Sequence, residues 1–184
     1  MTNPFRGSRA IPKRTTSLAE IPCPEELRVL QAAASGDPII AAAITVMTEV
    51  GLRVGALPGL IVRPDGSFTT VSKGKVVLSF IPFSLSTVKL LNALGCGRQP
   101  FSRVTVGAIR LRFVRLVARL YKEGRLAARY SVHDLRHNFA EQNKSRGLYW
   151  LARALGRSTV GVTEGYLKNS LGVDPREIKS GLLE

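Results

Sequence analysis

Ser131-Val132-His133-Asp134-Leu135-Arg136-His137 reads as the opening turns of a helix. Three residues apart, His133 and Arg136 share one helical face. Tyr166, in Gly165-Tyr166-Leu167-Lys168, stands on a later helix. Arginine and histidine grip phosphate, arginine through a planar fork that makes two parallel hydrogen bonds, and a phenol can attack it. Lysine and arginine total 27 against 13 acidic residues, a net charge of +14. Such a surplus attracts polyanions, so the phosphate expected is that of DNA.

The 184 residues suffice for one domain with a hydrophobic core, and 45% apolar residues argue against wholesale disorder. Cys23 and Cys96 match no zinc spacing and read as free thiols of a reducing compartment, so neither a metal nor another cofactor is expected. The opening residues are polar, basic and interrupted by proline, unlike a secretory signal. The longest apolar run, Ile39 to Met47, is too short to span a bilayer. A cytoplasmic, nucleoid-associated protein is expected, or a nuclear one in a eukaryote, with no membrane partner.

Residues 1–19 read as a basic arm carrying Arg6, Arg9, Lys13 and Arg14 without apolar periodicity. A first helix begins near Pro24-Glu25-Glu26, with proline and acids in its first turn. Asp37-Pro38 starts a second, whose Ile40, Ala43, Val46, Met47 and Val50 call for burial and which Gly51 ends. Ser67–Val71 and Val76–Pro82 are β-branched and aromatic runs flanking Ser72-Lys73-Gly74-Lys75, a hairpin signature. Helices then follow over Leu85–Leu94, Val104–Tyr121, Val132–Ser145, Trp150–Leu155 and Val160–Leu167, with a short one from Asp174-Pro175. The fold class is mainly α with a small antiparallel β-sheet (α+β). Along the long helix Val104–Tyr121, Ile109, Phe113, Leu116, Val117 and Leu120 lie on one side, and Arg110, Arg112 and Arg115 are candidates for DNA contact.

A tyrosine that attacks a phosphodiester needs cations around the non-bridging oxygens, where charge builds. It also needs a proton donor for the leaving 5′ oxygen, and loss of its own proton, which nearby arginines favour. Arginine and lysine can supply that charge without metal. Arg53 follows the apolar second helix, Lys73 and Lys75 occupy the hairpin, and His133, Arg136 and Tyr166 come in order after them.

Gly51-Leu52-Arg53, the lysine hairpin, His133-Asp134-Leu135-Arg136-His137, and Leu155-Gly156-Arg157-Ser158 followed by Tyr166 together resemble the tyrosine recombinase, or phage integrase, family. The resemblance covers roughly residues 20–170 and implies a catalytic domain over 20–184, without the family's usual N-terminal core-binding domain. It implies that Arg53 and Arg136 clamp the scissile phosphate and that Lys73, with Lys75 as the alternative, protonates the leaving 5′ hydroxyl. His133 would assist proton transfer, and Tyr166 would form a 3′-phosphotyrosyl bond that conserves the phosphodiester energy, so no ATP is needed. Double-stranded DNA is the implied partner, with four protomers in the synaptic complex and a monomer in isolation. Two departures bear on activity. Arg157 stands where the family has histidine or tryptophan, and Ala56 stands where an acid commonly follows the first arginine. The rival functions are a catalytically impaired DNA-binding regulator and a type IB topoisomerase. Apolar Leu171, Val173, Ile178, Leu182 and Leu183 leave open whether the segment after Tyr166 packs on its own domain or on a neighbour's.

Overall fold

The computed structural model describes residues 20–72, 75–156, 160–172 and 174. Two helices open the fold, α1 (Pro24–Ala33) and α2 (Pro38–Val50), followed by a 3-10 turn at Val54–Ala56. Three strands come next, β1 (Ile61–Val62), β2 (Phe68–Ser72) and β3 (Lys75–Leu78). The chain then returns to helix as α3 (Leu85–Asn92), α4 (Val106–Lys122), α5 (Val132–Gln142), α6 (Leu148–Ala154) and α7 (Val160–Tyr166). The mainly helical architecture with one small sheet is the one its sequence implies.

The position of α2 is dictated by its composition. Ile40, Ala42, Ala43, Ile44, Val46, Met47 and Val50 are all buried, which leaves almost no polar face. Asp37 caps the N-terminus by accepting from the Ile40 N–H at 3.3 Å, and Gly51 closes the other end at φ 65. That φ favours glycine, and the packing also requires it: a Cβ there would lie 2.4 Å from Phe139 Cδ1. The end of α2 therefore sits directly against α5. Helix α4 covers the same core with Ile109, Phe113, Leu116, Val117 and Leu120, the five residues its periodicity assigns to one side.

The sheet is antiparallel in the order β1-β2-β3. Ile61 pairs with Thr69 and Thr69 with Leu78; Ser72 pairs with Lys75, so Lys73 and Gly74, which lie outside the described residues, join β2 to β3. Alternation sends Phe68 and Thr70 inward, while Val71 is 51% exposed. Thr70 Oγ1 donates to the Ala56 carbonyl at 2.5 Å, which fastens the sheet to the 3-10 turn just after Arg53.

Several element ends differ from the expected ones, three of them for evident local reasons. The third strand stops at Leu78 rather than Pro82, because Phe80 turns edge-on to Trp150 at 5.8 Å and Ile81 packs on the core. Helix α4 starts at Val106 because the Thr105 hydroxyl accepts from the Ala108 N–H. Helix α5 ends at Gln142, after which a 3-10 turn, Lys144–Arg146, leads to Gly147 at φ 91. The basic arm of residues 1–19 and the helix expected from Asp174-Pro175 fall outside the described residues.

Candidate active site

Helix α5 is the centre of the site. Ser131 and Asp134 form a capping box: Ser131 Oγ accepts from the His133 N–H at 3.2 Å, and Asp134 accepts from the Ser131 N–H at 2.6 Å. His133, in the first turn, is exposed. From there inward every residue from Leu135 to Ala140 is buried, so the helix plunges into the fold behind an open N-terminal turn. That end carries the positive end of the helix dipole, which favours an anion nearby.

Arg136 is 2% exposed. Its Nη1 donates to the Gly51 carbonyl at 2.5 Å and its Nη2 to the Leu155 carbonyl at 2.8 Å. Both acceptors stand two residues before an arginine of interest: Gly51 before Arg53, Leu155 before Arg157. One guanidinium thus pins the end of α2 and the end of α6 against α5. Arg53, half-buried, takes the extended conformation that caps the 3-10 turn, φ −75 and ψ 143.

Tyr166 ends α7 and is 8% exposed. Its ring stacks on His137 with centroids 5.0 Å apart and planes 10° from parallel, and its Oη lies 2.6 Å from His137 Nδ1. His137 in turn meets His133 edge-on, centroids 4.7 Å apart. The tyrosine is held within a second apolar cluster that includes Phe139, Ala140, Leu151, Leu155 and Leu167. Beyond it the helix loosens into one turn of π-helix, Leu167–Leu171, closed by Gly172 at φ 65. Such turns are frequent at functional positions.

His133, Arg136 and Tyr166 are therefore brought together, and Arg53 is tied to them through the Gly51 segment. Lys73 and Arg157 lie outside the described residues; Lys75 opens β3 beside the hairpin turn. Where an acid would follow Arg53, Ala56 is fully buried and offers its backbone carbonyl to Thr70. The four arginines of α4 divide. Arg112 pairs with Asp37 at 3.2 Å and, with Arg115 and Arg119, lines a groove that includes Ile40. Arg110 lies on the other flank of the buried face, since two residues turn a helix through roughly 200°. That groove is at the N-terminal end of α2 and the tyrosine site at its C-terminal end, roughly 20 Å apart along the helix.

The sequence reading missed His137. The signal was present: His133, Arg136, His137 and Ala140 occupy positions i, i+3, i+4 and i+7, a stripe pointing the same way.

The arrangement of helices around this small sheet is that of the catalytic domains of tyrosine recombinases. The XerA recombinase is similar over 82% of this chain and 60% of its own, with a TM-score of 0.62 and 22% identity. The Tn1549 transposon integrase, in complex with circular intermediate DNA, matches over 82% of this chain and 61% of its own at TM-score 0.64 and 18% identity. The lambda integrase catalytic core matches 77% of this chain and 91% of its own length at TM-score 0.56 and 19% identity. This chain thus spans about three fifths of the first two proteins and nearly all of the isolated core. No protein-family model and no curated protein matches the sequence.

Proposed function

We propose that this chain is a DNA strand transferase that cuts and rejoins duplex DNA at specific sites through Tyr166. The observation that carries the reading is the meeting of His133, Arg136, His137 and Tyr166 on α5 and α7, within a recombinase catalytic-domain fold. In the proposed reaction Arg53, Arg136 and Arg157 hold the non-bridging oxygens of one phosphate. The Tyr166 phenolate attacks phosphorus, the bond to the 5′ oxygen breaks, and Lys73 or Lys75 supplies that oxygen with a proton. The 3′-phosphotyrosyl bond is then attacked by a 5′ hydroxyl, which restores the phenol and joins the strands without ATP.

DNA as substrate is supported by the charge of +14 and by the DNA in the structures of similar fold. One of them is a lambda integrase tetramer bound to a Holliday junction, and we extend a tetrameric synaptic assembly to this chain. The resting geometry adds a requirement. With Tyr166 8% and Arg136 2% exposed, α7 must shift, or the groove above them open, before the phenol and the guanidinium meet a duplex.

The test uses a pool of nicked duplexes of randomised sequence, from which cleaved strands cannot be rejoined. The expected product is a protein–DNA adduct that survives boiling in detergent and disappears in Tyr166→Phe. DNA retained without any adduct would instead make the chain a binding module, and supercoil relaxation by dilute protein without recombinants would make it a topoisomerase.

A further inference from the structure

We propose that His137 orients the Tyr166 phenol and receives its proton during attack, an inference that rests on the strand-transfer reading above. The ring that touches the nucleophile is that of His137: Nδ1 is 2.6 Å from Oη, within the range of a strong hydrogen bond. The geometry is fixed from two sides. The two rings stack nearly parallel, which sets the direction of the phenol, and both are more than nine-tenths buried, at 6% and 8% exposure. Helix α5 fixes His137 in turn, because its neighbour Arg136 is bound to the carbonyls of both Gly51 and Leu155. His133 is exposed, and its ring lies edge-on to His137 at 4.7 Å. His133 is thus open to solvent, while His137 meets the phenol.

The step balances as follows. The Oη–H bond breaks and its proton moves to Nδ1, giving an imidazolium. The oxygen lone pair forms the bond to phosphorus, and the bond from phosphorus to the 5′ oxygen breaks. That oxygen takes a proton from the lysine of the hairpin, so one group gains a proton and another loses one. On rejoining, the 5′ oxygen returns its proton to the lysine and the imidazolium returns its own to the departing phenolate. In this assignment the resting proton sits on Tyr166 Oη. It moves only as the oxygen commits its electrons to phosphorus, which is the ordinary condition for general-base assistance.

Acceptance requires a particular tautomer: Nδ1 bare and Nε2 protonated. With only two histidines in the chain, ¹⁵N spectra of the imidazole rings resolve this without DNA. The expected result is an unprotonated, hydrogen-bonded Nδ1 on His137 whose signal moves in Tyr166→Phe. A protonated Nδ1 donating to the phenol oxygen would overturn the proposal. The kinetic arm compares His137→Asn and His137→Ala, each checked for unchanged melting temperature and DNA retention. Asparagine keeps a hydrogen-bonding group but cannot take up the proton. Both variants are expected to form the adduct roughly 10²–10⁴-fold more slowly, the range for a lost general base. Full rescue by asparagine would reduce His137 to a purely positioning residue and end the claim of proton uptake. An unaltered protein that yields no adduct at all would instead defeat the strand-transfer reading, while the ring spectra would still report which group donates.

Discussion

Arg136 carries its charge to a site 2% exposed, and burying a charge is costly unless strong hydrogen bonds replace water. The Gly51 and Leu155 carbonyls do so, and they gain as much as the arginine does, because each would otherwise be an acceptor at a helix end. The planar fork spans two acceptors that come from different segments, which the point charge of lysine cannot reproduce. Arg136→Lys should therefore cost about 1–3 kcal/mol of unfolding free energy, the penalty for leaving buried polar groups unsatisfied. Urea denaturation measures it, and an unchanged midpoint would show that the carbonyl ties add nothing. His133, Arg136 and Tyr166 were legible in the sequence because their spacing places them in a recognisable order. The burial of Arg136 was not, since an arginine in a helix normally reads as a solvated side chain, and nothing local reveals that two backbone carbonyls converge on it. His137 shares the helix face of His133 at i+4, but its pairing with Tyr166 was not legible, because the tyrosine lies on another helix.

Among the elements, the helices with a single apolar stripe were legible and those that serve the site were less so. The five buried residues of α4 follow directly from a period of 3.6, and the burial of the mostly apolar α2 from its composition. Helix α5 has no such stripe; six consecutive residues are buried, three of them polar or charged (Arg136, His137 and Asn138), and tertiary contacts alone account for that. Strand ends were misplaced because Phe80 and Ile81 have the β-propensity of a strand but find their partners on α6 and the second cluster. The short sheet has one specific anchor. Thr70, 2% exposed, donates to the Ala56 carbonyl and so couples the lysine hairpin to the segment that presents Arg53. Thr70→Val keeps the shape and removes the donor, leaving a buried carbonyl. It should cost about 1–3 kcal/mol, and hydrogen exchange should quicken in β2 and β3 before it does in α2 and α5. Equal loss of protection throughout would mean that the sheet and helices open as one unit.

At the scale of the whole molecule, Glu26 joins the first helix to the connection between α4 and α5. It accepts from the Ala127 N–H at 2.7 Å, the Tyr130 hydroxyl at 2.7 Å and the Cys23 N–H at 2.9 Å. Burial alone would raise its carboxyl, but these hydrogen bonds outweigh that effect and hold it below the ordinary value. A carboxyl depressed in the folded state contributes stability above its unfolded value, about 4.3, and loses it as pH falls through the folded one. The stability difference between the protein and Glu26→Gln should thus be present at neutral pH and shrink in acid below about pH 4. A difference that stays constant between neutral and acid pH would assign it to packing rather than charge. The surface charge makes a separate demand. A protein with a net charge of +14 that neutralises Z phosphates should lose DNA affinity with salt at a slope of about −0.9Z in the logarithms. The arginines of α4 should contribute unequally, because Asp37 already offsets Arg112, whereas Arg115 shares the groove without that pairing. If this groove meets phosphate, Arg115→Ala should reduce the slope by about 1, and Arg112→Ala should change it less, because a guanidinium already paired with Asp37 displaces fewer counterions on meeting phosphate. Equal slopes for both variants and the parent would place the groove, at the far end of α2 from Tyr166, off the DNA path and leave the contacts to the face around His133.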